Sequence, residues 1–421
     1  MQNKKNVLLL LVPFLLFASC HGGSTVDPDV EVLDEGNTYV EFAEIDNLVM
    51  INAKAQAYID AMKEQEEQSY QPYHLVGLDG IDDIEVGDML NQSNNSKNRP
   101  IVISWDKGDM DYDRIDLVLC KDWKFNETDH YPTARTSVSI DNLFRATTYY
   151  YRLENEDGSI ISHTQKFTTG DYTRTINFDG DPNLGQTIYN VRDLGGYMTS
   201  FGVRTNQGLI YRGSEMNGAD FTVDGHRHRR NVDDVVIEKN DTILQIGCEL
   251  DLRTASGSNN QTVCPLGDHI EYVRTPFNSY AGFVRDPDNG TPGTFETAVS
   301  KIANADEKHV YYHCWGGADR TGALSFFLNG MLGVSLTDLY IDFELTTQHN
   351  SLRSHLTPNG GYDFPGTLVA IRNLDYYSEE MTLAELCKEF FIRNGISEET
   401  VEHIRSFMIP GYYTGMEEIY A

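Results

Sequence analysis

The stretch Val310-Tyr-Tyr-His313-Cys314-Trp315-Gly316-Gly317-Ala318-Asp319-Arg320-Thr321-Gly322 decides the fold of the C-terminal half of this 421-residue chain. An apolar strand ends on a cysteine, a short loop with two glycines follows, and an arginine then opens an apolar helix that ends near Gly333. A phosphate at a helix N-terminus is met by unpaired backbone N–H groups and the positive end of the helix dipole. Glycines let such a loop curl until successive N–H groups converge on one anion. The planar fork of Arg320 can grip two phosphoryl oxygens. The same positive field lowers a thiol pKa from roughly 8.5 toward neutrality or below, so Cys314 is expected to be a thiolate nucleophile aimed at bound phosphorus. Trp315, Gly316, Gly317, Ala318, Asp319 and Arg320 are the expected phosphate-binding residues. His313 is expected to support the thiolate through the loop backbone, and Thr321 to donate to the sulfur when it leaves. A chance His-Cys pair at the end of a core strand is the plain alternative. At residue usages of roughly 1–7% per position, HCxxGxxRTG arises by accident in far fewer than about one chain in a thousand.

Outward from this loop, strand-like runs alternate with helical ones over 171–421. Ile243–Leu252, Glu271–Pro276 and His309–His313 read as strands; Thr294–Ala305, Gly322–Leu332 and Leu383–Asn394 read as helices. Such alternation predicts an α/β domain with a central, mainly parallel sheet flanked by helices. Upstream, 100–170 holds short β-branched and aromatic runs at Ile101–Trp105, Ile115–Cys120, Thr136–Ile140, Thr147–Leu153 and Ser159–Thr168, separated by turns such as Glu156-Asp-Gly158. That pattern predicts an all-β antiparallel sandwich. Residues 20–99 are acidic and polar, with a helix-like pattern only over Leu48–Glu66, and Asn91–Arg99 has no apolar periodicity and reads as a linker.

The formal net charge of -31 disfavours nucleic acid and anionic membrane surfaces as partners, both of which demand a basic face. Lys4 and Lys5 precede an apolar run, Val7–Phe17, that is too short to span a bilayer. Residues 1–19 therefore read as an export signal. Of the six cysteines, Cys120, Cys248, Cys264 and Cys387 read as buried free thiols, with a Cys248–Cys264 bridge left open.

Three resemblances follow from these residues. Phe17-Ala18-Ser19-Cys20 resembles a bacterial lipobox, which implies lipidation of Cys20 and a cell-envelope lipoprotein held to the membrane only through its anchor; the alternative is ordinary signal cleavage with Cys20 discarded. The 100–170 stretch resembles fibronectin type III domains through Trp105, the Leu143–Tyr151 segment and Phe167-Thr-Thr169, which implies a spacer or a module open to protein or glycan contact. The loop resembles the Cys-x5-Arg protein tyrosine phosphatases, and in particular bacterial tyrosine/serine phosphatases reading HCxxGxDRTG. Asn190-Val-Arg-Asp-Leu-Gly-Gly-Tyr197, Leu209–Ser214, Glu249–Arg253, Tyr340–Thr347 and Leu383–Ile409 with Gly395-Ile-Ser397 match that family in order.

The last resemblance implies hydrolysis of phosphomonoesters, on phosphorylated proteins or small molecules, through a cysteinyl-phosphate without metal or cofactor. Cys314 is then the nucleophile, Arg320 and the loop amides stabilise the transferring group, and an acid protonates the leaving oxygen. Asp319 is the first choice for that acid, with a bracing carboxylate as its alternative. The family's aspartate after Pro-Phe is replaced here, since Asn278-Ser279 follows Pro276-Phe277. Asp286 and Asp288 on a Gly/Pro-rich segment remain as further candidates. Ala318 stands where relatives often carry lysine, which disfavours highly phosphorylated inositols and phosphoinositides. Arg192, Asp193 and Arg253 suit a network bracing the sheet, Arg212 and Arg274 suit bracing or substrate, and His226–Arg230 suits a solvated turn or helix start. Small phosphoesters or inositol phosphates as substrates, a phosphatase fold retained only for binding, and a rhodanese-like sulfur transferase are the rival functions.

Overall fold

The computed structural model describes residues 39–69, 73, 75, 98–108, 112–180, 187–216, 221–223, 226–228, 232–258, 260–348 and 364–413. The signal segment, Cys20, most of the Asn91–Arg99 run, Arg229 and Arg230 lie outside the described residues. The chain divides into two compact units, Met1–Glu41, Lys107–Ala134 and Tyr149–Phe167 on one hand and Phe42–Asp106, Arg135–Thr148 and Thr168–Ala421 on the other, so the strand-rich 100–170 stretch contributes to both.

In the smaller unit Ile115–Cys120 pairs antiparallel with Thr128–Thr133 and with Thr148–Asn155, and Gln165–Thr168 completes a four-stranded sheet. Alternation does the work here: Tyr149, Tyr151 and Leu153 are buried while their neighbours are not. Thr128–Thr133 has no apolar signature, since it is a polar edge strand that carries Pro132.

The larger unit contains an antiparallel pair, Ile101–Asp106 with Ser137–Ile140, and a five-stranded sheet. The sheet strands are β1 (Arg192–Asp193), β2 (Ile210–Gly213), β3 (Ile246–Asp251), β4 (Glu271–Arg274) and β5 (His309–His313), in the order β1-β2-β5-β3-β4. β2, β5, β3 and β4 run parallel, and only the edge pair β1/β2 is antiparallel. β3 starts three residues later than its apolar pattern suggests, because Asn240–Leu244 forms a π-helical turn whose exit residue Gln245 has φ 53°. His226–His228 is a short strand paired with Phe221–Val223, not a turn or helix start.

Helices α1 (Ala53–Ser69), α2 (Thr294–Ile302), α3 (Asp319–Met331), α4 (Leu336–Glu344), α5 (Leu383–Arg393) and α6 (Glu398–Met408) belong to the same unit. α3 is buried on every side from Ala323 to Met331, Ser325 and Asn329 included, as expected of a central helix. It packs on α5 through Phe327 and Phe390, whose rings stack with centroids 3.9 Å apart. Ser335, Thr382 and Ser397 cap α4, α5 and α6, with a full capping box between Thr382 and Glu385. Ala55, Tyr58, Ile59 and Met62 place the buried stripe of α1 in the same core, and Lys63 donates to Asp338 of α4 over 2.9 Å. The acidic N-terminal segment therefore supplies a structural element of the larger unit. Among the described residues no helix is long and apolar enough to cross a membrane.

Candidate active site

β5 lies in the middle of the sheet, with Gly213 of β2 and Asp251 of β3 level with His313. Cys314 follows at the carboxyl end of the strand, where ligands gather in open parallel sheets. Residues 315–318 then turn into α3, whose first helical residue is Asp319.

The loop is shaped from behind. Asn190 Nδ2 donates to Gly316 O over 2.8 Å, and Arg212 Nη2 donates to Gly317 O over 2.6 Å. Both carbonyls are thereby held by buried donors, which leaves the intervening amides to face the other way. Gly317 adopts φ 67°, and a β-carbon there would run into the Gly213 carbonyl. Only glycine fits.

The donors are themselves anchored. Arg192 Nε donates to Asp342 Oδ1 over 2.8 Å, Arg212 Nη1 pairs with Asp342 Oδ2, and Arg192 Nη1 donates to Asn190 Oδ1. One carboxylate of α4 thus orients two buried guanidiniums. Asp193 accepts from Arg174 and from the amides of Gly195 and Gly208. Arg253 pairs with Asp251 and Glu215. These arginines brace the sheet and the loop, and Arg212 joins them. Arg274 donates to Gln261 O.

Cys314 is buried. Burial and the Asp319 charge push its thiol up, yet the hydroxyl and amide of Thr321 and the charge of Arg320 outweigh them, and the pKa falls below the ordinary thiol value. The Thr321 hydroxyl is buried and makes no hydrogen bond to any described residue, and it stands two helical residues after Asp319 at the start of α3. Arg320 Nε donates to Phe277 O over 3.0 Å, which tethers the guanidinium, and its terminal nitrogens make no hydrogen bond or ion pair among the described residues. Trp315, 52% exposed, donates through Nε1 to Gly257 O over 3.1 Å.

Asp319 Oδ1 accepts from the Tyr280 hydroxyl over 2.5 Å. Tyr280 has φ 52°, a strained value for an aromatic residue, and it is buried. Asp286 and Asp288 are occupied otherwise: Asp286 accepts from the Gly290 amide, and Asp288 accepts from the amides of Gly293 and Phe295 at the start of α2. His313 donates from Nδ1 to its neighbour's carbonyl, Cys314 O, over 2.9 Å, while Nε2 lies 2.8 Å from Glu249 Oε1. Among the described residues the cysteines are free, Cys248 and Cys264 included.

Sequence reasoning placed the loop and its flanks but assigned no role to Glu249, Asp342, Asn190 or Tyr280. Glu249 had a signal: it is an acid between the apolar Cys248 and Leu250 inside β3, and a buried charge demands a partner.

A buried cysteine at a strand end, a loop with its carbonyls tied back and a helix start thus lie together at the carboxyl edge of a mainly parallel sheet. The family model described as "Tyrosine phosphatase family" matches residues 185–406, just over half of the chain, and the protein belongs to that family. No curated protein matches the sequence.

Proposed function

We propose that the protein is a protein-tyrosine, or tyrosine/serine, phosphatase working through a cysteinyl-phosphate on Cys314. One observation carries this: the carbonyls of Gly316 and Gly317 are tied back by Asn190 and Arg212 around a thiol whose pKa is lowered. The loop amides and the terminal nitrogens of Arg320 would grip the phosphoryl oxygens. The thiolate attacks phosphorus, the P–O bond to the substrate breaks, and Asp319 gives its proton to the departing oxygen. Water, deprotonated by the same carboxylate, then cleaves the P–S bond, and the Thr321 hydroxyl stabilises the departing sulfur. Asp319 is preferred over Asp286 and Asp288 because it sits at the loop itself, whereas those two carboxylates hold turn and helix amides.

Trp315 offers an exposed aromatic face at the loop for an aryl ester, and Ala318 supplies no cation for a second phosphate. Both favour phosphotyrosine over polyphosphorylated inositols. Export and lipidation on Cys20 remain part of the proposal on the strength of the N-terminal sequence. The 100–170 stretch, whose strands pair antiparallel within each of the two units, is assigned a docking or spacing role.

The chain from residue 21 onward should hydrolyse p-nitrophenyl phosphate and a phosphotyrosine peptide in the presence of chelator, with phosphoserine, sugar phosphates and inositol phosphates as comparison substrates. Turnover that survives Cys314→Ser would rule out the mechanism.

A further inference from the structure

Both ring nitrogens of the fully buried His313 face oxygens: Cys314 O at Nδ1 and Glu249 Oε1 at Nε2. A carbonyl can only accept, so Nδ1 carries hydrogen. At Nε2 a lone pair facing a carboxylate would be repulsive, so a proton lies between the two groups. Glu249 is surrounded by donors. Gln261 Nε2 donates to both of its oxygens, over 3.1 and 3.4 Å, beside the His313 ring at Oε1. A carboxyl group already receiving these hydrogens suits the ionised form, which puts the shared proton on the imidazole.

We propose that Glu249 is a positioning residue that keeps His313 doubly protonated, so that the positive end of a buried ion pair rests against the backbone of Cys314 and favours its thiolate. This rests on the assignment of Cys314 as nucleophile. The groups facing His313 are Glu249, Asp251 and Arg253 from β3 and its exit, with Tyr311 on its own strand at 5.7 Å between rings. Burial lowers the His313 pKa, but Asp251 and then Glu249 raise it by more, and the net displacement is upward. Without Glu249 the carbonyl would keep its hydrogen bond, because neutral His313 retains Nδ1–H, while the field at the sulfur would be lost.

Two measurements test this. In Glu249→Gln the new amide can donate to Nε2 and hold a neutral ring in place. The pH dependence of Cys314 alkylation by iodoacetamide should then move up by about one unit, a roughly tenfold loss of thiolate below both values. An unchanged alkylation profile in the folded variant would overturn the proposal. Should that variant fail to fold, ¹⁵N chemical shifts of His313 in the unaltered protein decide instead: two protonated ring nitrogens at pH 7 are expected, and a neutral single tautomer would overturn it. Neither readout depends on turnover. Failure of the phosphatase assignment would appear separately, as Cys314→Ser retaining activity.

Discussion

Arg212 Nη2 donates to the carbonyl oxygen of Gly317 over 2.6 Å, so a side chain on β2 fixes the curvature of a loop that follows β5. Its other end is paired with Asp342, which Arg192 shares. Arg212→Met should uncouple the loop from α4 and lose most p-nitrophenyl phosphatase activity. Removing one member of a buried pair costs about 3–5 kcal/mol, which urea denaturation would register. A variant with wild-type kcat would show that the loop keeps its shape unaided.

Gly317→Ala asks for a β-carbon where the Gly213 carbonyl stands, and for an L side chain at φ 67°. Kinetics should show kcat reduced by at least about a hundredfold, since small displacements of reacting groups carry that cost. Inhibition by vanadate or inorganic phosphate should weaken in parallel.

With its thiol pKa held down, Cys314 should alkylate faster at pH 7 than any other cysteine in the described residues. Burial pushes Cys248 up to about 12 and raises Cys264 and Cys387 as well. Below its folded-state pKa Cys314 is a thiol and both alkylation and kcat/KM fall, while above it they level off. Peptide mapping after limited iodoacetamide treatment should find the label on Cys314 first.

Asp319→Asn should abolish the basic limb of the kcat profile if the carboxyl supplies the proton. Tyr280→Phe removes the hydroxyl that donates to it and should move that limb without removing it. An unchanged basic limb in Asp319→Asn would return the role to another acid.

Much of the catalytic unit was legible because its signals are local. His309–His313 matches the expected strand, and the helix after the loop differs from expectation mainly in starting at Asp319. The brace was less so. Asp342 serves Arg192 and Arg212 from far along the chain, and no periodicity records which acid meets which base. Tyr280 holds Asp319 through a backbone conformation that its residue type does not announce. The edge strand Thr128–Thr133 escaped notice since an edge needs no apolar face. α1 was visible as a pattern, but nothing in the surrounding acidic segment indicated where its apolar stripe would rest.

Residues 171–421 alone lack α1, leaving open the places of Ala55, Tyr58, Ile59 and Met62. Such a fragment should melt well below a form that begins at residue 39, and calorimetry of the two would measure the difference. Equal melting temperatures would show the helix to be dispensable.

The docking of α1 also orders events during synthesis. Its apolar stripe is made early, yet α4, on which it packs, is completed only at Glu344. Until then the helix has nowhere to rest, and folding of the larger unit must wait for a contact of long sequence separation, which slows it. A chain halted before Glu344 would therefore carry the apolar stripe of α1 uncovered, a ready hold for chaperones and proteases.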